Sequence, residues 1–225
     1  MKTVPTCPRC GRAVHEPDLW SSAWRCDAHG PVVPLRGVRE PGSASLDLVL
    51  DEARVPVWLP WPLPNGWVIT GFADVGEERT GTLAAAVALS GPAPLGGIGE
   101  LVVVAEQPGI GLAARIAGIG GPDPGEGFDD DPPDAKVRND GHEIPLWSVD
   151  GGPERAIYVG EAMAQWLWFV FGSADAGMLM CEIASVRDLR EARDVGPFPE
   201  LPFGAPSPLL TETVRPAGGG TAAGL

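Results

Sequence analysis

"LVVVAEQPGIGLAARIAGI", residues 101–119, is the stretch on which the fold class turns. An apolar run leads into Gly109-x-Gly111-x-x-Ala114 and then into a helix-like segment. That order matches the first half of a dinucleotide fingerprint, in which glycines let the backbone approach a pyrophosphate at a helix N-terminus. Read so, Gly109, Gly111 and Ala114 are candidate cofactor-binding residues. The fingerprint also needs a second parallel strand ending in an acidic residue about 20 positions on. Here the chain enters "GGPDPGEGFDDDPPD", residues 120–134, which is no strand. Arg115 is the only cation between residues 101 and 135, against seven acidic residues. One helix terminus contributes about 0.3–2 kcal/mol toward an anion, whereas micromolar binding requires about 8 kcal/mol. The expectation is therefore that neither nicotinamide dinucleotides nor coenzyme A binds, and that the apolar run is the central strand of a different kind of sheet.

The flanking sequence says which kind. "WVITGFADV" (67–75), "GTLAAAVALSG" (81–91), "RAIYVGE" (155–161) and "QWLWFVFGS" (165–173) all read as strands. "KVRNDGHEIPLWSVD" (136–150) reads as two more around the turn Asn139-Asp140-Gly141. In "QWLWFVFGS" both sets of alternating residues are apolar, so both faces of that strand are covered. Helices flank the strands. "SASLDLVLDEARV" (43–55) places Leu46, Val49, Leu50 and Ala53 on one face, with Ser43 or Ser45 as cap and Pro56 as terminator. "MCEIASVRDLREARD" (180–194) carries Ile183, Val186 and Leu189 at helical spacing. Strands joined by short turns with a helix at each end define an α+β fold, a mainly antiparallel sheet packed on helices. The four prolines of "PVWLPWPLPNGW" (56–67) force an extended path. It reads as a cover strip whose Trp58, Trp61 and Trp67 fill the core rather than as an aromatic platform for a ligand.

The N-terminus carries the metal chemistry. "CPRCGRAVHEPDLWSSAWRCDAHG" (7–30) concentrates three of the four cysteines and two of the three histidines. Cys7-x2-Cys10 and Cys26-x2-His29 are separated by 15 residues, the pattern of a zinc site built from two tight turns. Gly11 and Gly30 follow the two knuckles and supply the positive φ such turns need. Cys7, Cys10, Cys26 and His29 are the expected ligands of a structural Zn2+ in a zinc ribbon, with His15 as the rival fourth ligand. "WSSAWRC" reads as a short strand, and Trp20 and Trp24 are expected to cover the site. Four protein ligands leave no open position for catalytic water, and loss of the metal is expected to loosen residues 1–35.

The organisation that follows is a zinc-ribbon-like module over 1–40, with residues 31–42 as last ribbon strand and linker. An α+β sheet domain follows over 41–195, then a Pro/Gly-rich tail over 196–225, disordered over its last ten residues. Gly and Pro number 31 and 25, which favours turns and short strands over a helical bundle. The net charge of −14 repels phosphate backbones and anionic lipid. Nucleic acid is therefore not expected as partner, and would be met only through residues 1–40, which carry six basic against four acidic groups. No apolar run is long enough to span a membrane and the N-terminus lacks an apolar signal segment, so a cytoplasmic location is expected. The acidic residues Asp123, Glu126, Asp129, Asp130, Asp131 and Asp134 lack calcium-loop spacing and read as a solvated loop. His142 stands alone, and Cys181 lies in the apolar run "MLMCEI", where a buried thiol is the usual case. No residue is assigned a catalytic role.

Several stretches together resemble an actinobacterial family of unknown function, some of whose members carry the name phosphotransacetylase: the CPRCG…CDAHG start, "VPVWLPWPLPNGW", "SGPAPLGGIGELVVVAE", "AGIGGPDPG", "GEAMAQWLWFV" and "FGAPSPLL". The central part also resembles sheet domains of bacterial envelope and anti-sigma proteins, which begin at an "LPxGW" strand. Neither resemblance carries a catalytic residue to this chain. The expected function is a non-enzymatic protein-binding or regulatory factor. The alternative is an enzyme acting on a phosphorylated or acyl substrate, with the Gly109–Ala114 turn as anion site.

Overall fold

The computed structural model describes residues 4–195 and 200–217. Its centre is one antiparallel sheet of eight strands: β3 (Leu35–Arg39), β5 (Val68–Glu77), β6 (Gly81–Pro92), β7 (Ile98–Glu106), β11 (Gln165–Phe171), β10 (Ala156–Ala162), β9 (His142–Ser148) and β8 (Ala135–Asn139), in that spatial order. The antiparallel α+β reading holds, and the "LVVVAE" run is central in the sheet. Two two-stranded pieces complete the β structure, β1 (Arg25–Cys26) with β2 (Gly30–Pro31), and β4 (Trp58–Pro60) with β12 (Val186–Asp188).

Both sheet faces are buried, which accounts for the unbroken apolar runs. Phe72, Val87, Leu101, Val103, Phe169 and Phe171 pack against α1 (Ser43–Glu52), the β4–β12 pair and a 3-10 turn over Asp175–Cys181. On the other face Ala73, Ala86, Val102, Val104, Trp168 and Val170 pack against α2 (Leu112–Ala117) and α4 (Pro208–Thr213). Between β8 and β9, Asn139 pairs with His142 across a two-residue turn. Asp140 and Gly141 there take φ of 47° and 84°, the double left-handed geometry for which Asp-Gly is suited.

The expected helix over 180–194 is corrected. Residues 186–188 are strand β12, and only Leu189–Val195 is helical, as α3. Ile183, Val186 and Leu189 are all buried, but from a connecting segment, from β12 and from α3 respectively. The cause is Asp188, whose buried carboxylate accepts from the N–H groups of Val57 (3.0 Å) and Arg190 (3.1 Å), tying β12 to the proline strip and starting the helix one residue later. Helix α1 is preceded by Gly42 with no side-chain cap from Ser43 or Ser45, and it stops at Glu52, before Pro56. In the proline strip Trp58 and Trp67 are core residues. Trp61 is half-buried under the Arg187 guanidinium, 5.6 Å from its ring centre.

Two further readings change. Leu35–Arg39, expected to end the ribbon and act as linker, is the edge strand of the main sheet beside β5. Of residues 216–225, expected to be disordered, 218–225 lie outside the described residues, while Ala217 and the tail ahead of it are built in. Pro208–Thr213 is helical, and the Ala217 N–H bonds to the Gly11 carbonyl at 2.8 Å. Ser207 caps α4. Its hydroxyl accepts from the Leu210 N–H (3.0 Å) and donates to Glu100 (2.7 Å). Ser207→Ala is expected to cost about 1–2 kcal/mol, seen as a fall of about 3–6 °C in Tm by calorimetry.

Candidate metal centre

Cys7 and Cys10 sit on the first knuckle, which closes when the Gly11 N–H bonds to the Cys7 carbonyl at 2.8 Å. Gly11, at φ 70°, lets the chain turn back. Cys26 and His29 lie on the β1–β2 hairpin, whose register pairs Cys26 with Gly30. The knuckles face each other. Cys7 Sγ is 3.5 Å from His29 Nδ1, Cys26 Sγ is 3.7 Å from the same nitrogen, and Cys10 Sγ is 3.7 Å from Cys26 Sγ. All four donor atoms lie within 4.8 Å of one another, close enough to hold one metal ion. His15 is not among them. It is exposed, and its Nε2 meets Asp27 Oδ1 at 3.1 Å.

The thiols are unequal. Burial pushes Cys7 up to about 11. Burial acts the same way on Cys26, but hydrogen bonds from Ala28 and His29 outweigh it and bring that thiol down to about 6. Clustered thiols that cannot all ionise on their own are the setting in which a cation supplies the missing charge.

The tryptophans do not cover the site. Trp20 is 93% exposed and its neighbour Leu19 is 99% exposed. They stand on a turn held by Asp18, whose Oδ1 accepts from the N–H groups of Trp20 and Ser21, each at 2.8 Å. Trp24 is half-buried and lines the clefts beside the hairpin. The strand expected over "WSSAWRC" is confined to its last two residues, Arg25–Cys26.

The first cysteine knuckle rests on the Gly109–Ala114 turn. Arg9 donates to the carbonyls of Gly109 and Ile110. Arg115, on α2, donates to the Cys7 carbonyl (3.2 Å) and to the Arg215 carbonyl (2.7 Å). A Cβ at Gly111 would lie 2.9 Å from the Arg9 side chain and 3.1 Å from Pro122, so the glycine there serves close packing. The turn's donors are engaged from within. Glu106 Oε2 accepts from the N–H groups of Leu112 (2.9 Å) and Ala113 (3.3 Å), and Asp123 Oδ1 accepts from the Gly109 N–H (2.7 Å). The three candidate cofactor residues are thus together in space, beneath a lid formed by the first knuckle, and Ala114 is buried in the helix.

The acidic loop is pinned rather than merely solvated. Asp123 also accepts from Trp166 Nε1 (2.8 Å), and Asp134 accepts from the Ser148 N–H (2.7 Å). Phe128 stands edge-on between Trp147 and Trp166, at centroid separations of 5.8 and 5.6 Å. His142 is exposed on the β8–β9 turn, and Cys181 is exposed rather than buried. The residues that sequence reasoning missed are Glu106, Arg9 and Arg115. Only Glu106 left a trace, as an acidic residue closing an otherwise apolar strand.

The architecture is that of a four-residue Cys/His cluster, on two facing knuckles, mounted on an antiparallel α+β sheet. The chain belongs to a family of unknown function, DUF6758, whose family model matches residues 1–210 and so spans ribbon, sheet and the start of α4. Neither a curated protein nor a solved structure matched the chain. Among the described residues no helix is long and apolar enough to cross a membrane.

Proposed function

We propose that this protein is a zinc-braced, non-enzymatic protein-binding or regulatory factor of the cytoplasm. The metal assignment rests on distance. Zinc–sulfur bonds of about 2.3 Å and zinc–nitrogen bonds of about 2.0–2.1 Å in a tetrahedron place sulfurs about 3.8 Å apart and sulfur about 3.6 Å from nitrogen. Three of the six separations, at 3.5, 3.7 and 3.7 Å, match those edges, and all six lie within 4.8 Å. Three thiolates and one imidazole fill the coordination sphere, so the ion's role is structural.

The observation that carries the binding role is the Leu19–Trp20 pair, held almost fully in solvent on a turn of the metal-braced module. Tryptophan is a preferred anchor at protein interfaces, where it fills an apolar pocket on the partner. Acidic surface elsewhere on the chain favours a protein partner over nucleic acid. The rival reading, an enzyme handling a phosphorylated or acyl substrate in the manner the name phosphotransacetylase suggests, would need free donors at Gly109–Ala114. Those donors already bond to Glu106 and Asp123.

The test pairs two measurements. Affinity capture from native lysate, using wild type and a Leu19→Ser/Trp20→Ser variant of equal zinc content, is expected to lose a stoichiometric partner in the variant only. Identical capture by both baits, or turnover of acetyl phosphate with coenzyme A by the purified protein, would overturn the reading.

A further inference from the structure

The turn that carries Leu19 and Trp20 is pinned at several points. The Asp18 N–H bonds to the Ser21 carbonyl (2.8 Å), and the Asp18 carboxylate accepts from the N–H groups of Trp20 and Ser21. Ser21 Oγ donates to the Ala23 carbonyl (3.2 Å) and accepts from the Ala23 N–H (3.4 Å). Arg79 reaches across from the β5–β6 turn to the Ser22 carbonyl (3.4 Å). Two large apolar side chains are thereby held out in solvent instead of folding back onto their own module. A side chain fixed before it docks loses little entropy on docking.

Three residues further on, Ala23 and Trp24 begin the wall of a cleft of about 280 Å³, which Pro31, Val33 and Ile110 complete. That is at the lower edge of the about 300–1,000 Å³ of small-molecule sites, and suits one aromatic side chain better than a cofactor. The charges on its rim are engaged. Arg79 pairs with Glu77 (3.2 Å), and Arg9 donates to the Gly109 and Ile110 carbonyls. An uncharged indole enters without stranding a charge, and the Arg79 guanidinium offers it a cation–π contact.

Knob and cleft thus lie side by side on one module. A two-fold interface requires this arrangement, because each copy must offer a patch complementary to itself. A foreign partner requires only one of the two features. Charge points the same way. Two copies of a −14 chain repel over most of their surface, whereas residues 1–40 carry six basic against four acidic groups. Through that module two copies can approach. Area is sufficient as well. Two docked tryptophans and the walls that cover them bury about 600–1,000 Å² at about 150–250 Å² for each tryptophan. The Leu19 pair carries the total past the about 1,000 Å² expected of a specific interface, at the weak end of the range.

We propose that the chain forms a weak two-fold homodimer in which Trp20 of each copy enters the Ala23–Trp24 cleft of the other. The proposal rests on the reading of Leu19–Trp20 as a docking anchor and names a second copy of this chain as what it docks on.

Sedimentation equilibrium of the full zinc-loaded chain, from micromolar to near-millimolar concentration, tests this. Wild type is expected to show a reversible monomer–dimer equilibrium that tightens as salt is raised, because screening removes the repulsion between two acidic chains. Trp20→Ser is expected to weaken the dimer by at least about thirtyfold, the loss of an interface hot spot. Its zinc content and Tm should stay at wild-type values, since that side chain touches little of its own fold. Ala23→Gln, whose longer side chain occupies the cleft, is expected to weaken the dimer comparably at equal zinc content. A mixture of the two variants keeps one docked contact intact and is expected to associate more tightly than either variant alone. A monomer at every concentration, a dimer that persists in Trp20→Ser or Ala23→Gln, or one that dissociates with added salt would overturn the proposal. If the chain is monomeric while lysate capture still loses a partner in the Leu19→Ser/Trp20→Ser variant, the anchor reading stands and the homodimer falls. If capture is unchanged too, both fall.

Discussion

Cys26→Ser protein is expected to come off purification without the proposed zinc and to melt at least about ten degrees below wild type. In a structural site the metal's binding free energy is folding free energy, and for a domain of this size each kcal/mol moves Tm by about 2–4 °C. A loss of about 3–5 kcal/mol therefore suffices. The reach of the effect is the informative part. A tethered ribbon would loosen only over residues 1–35. Here the first knuckle is fastened at three places to the main fold: by Arg9 to the 109–110 carbonyls, by Arg115 to the Cys7 carbonyl, and by Thr6, whose N–H and carbonyl pair with Leu35 at 3.1 and 2.8 Å. Gly11 in turn receives the Ala217 N–H from the C-terminal segment. Hydrogen exchange on Cys26→Ser is expected to show faster amides over 107–118 and 209–217 as well as over the ribbon. If only amides before residue 35 speed up while Tm stays within two or three degrees of wild type, the knuckle is not coupled to the sheet.

How much of this was legible in the sequence varies with how local the determining contact is. The clustering of Cys7, Cys10, Cys26 and His29 was readable because knuckle geometry depends on spacing within a few residues. The sheet was readable because its strands are continuous apolar runs and one of its turns carries Asp140-Gly141, whose φ preferences are local. The helix over 180–188 was misread because Ile183, Val186 and Leu189 fit a helical face equally well as three separate burials. What decides against the helix is Asp188 bonding to Val57, a partner 131 residues away. The ribbon's relation to the sheet was hidden for the same reason. Arg9 and Arg115 look like surface charges in sequence, and their acceptors are backbone carbonyls about a hundred residues distant. Trp20 shows the opposite error, since an aromatic near a metal site suggests cover but nothing in the local sequence fixes which way it points.

Glu106→Gln is expected to remove most of a pH dependence that wild type shows between about pH 4.5 and 8. Burial at the end of β7 pushes the Glu106 carboxyl from 4.5 up to about 8. Nearby Asp123 acts in the same direction, while the N–H groups of Leu112 and Ala113 favour the ionised form and lose to desolvation. The folded state therefore holds a proton that the unfolded chain has already released above pH 4.5. Stability tied to that proton is fully present below pH 4.5 and is lost as pH rises through 8, by up to about 1.4 kcal/mol for each pH unit. Gln keeps the acceptor that starts α2 and presents an N–H2 where Oε1, which has no partner among the described residues, now stands. It mimics the protonated form at every pH. Urea unfolding at pH 5, 6.5 and 8 should give near-equal stabilities for wild type and Glu106→Gln at pH 5, and a variant more stable by about 4 kcal/mol at pH 8. Because every other titrating group is shared, the difference between the two proteins isolates this one. Glu106→Ala separates the charge from the hydrogen bonds. It strands two buried N–H groups at about 1–3 kcal/mol each, so it should be destabilised at pH 5, where Gln is not. Parallel stability curves for wild type and Glu106→Gln across the three pH values would mean that Glu106 is ionised in the folded protein, with its charge carried by the start of α2.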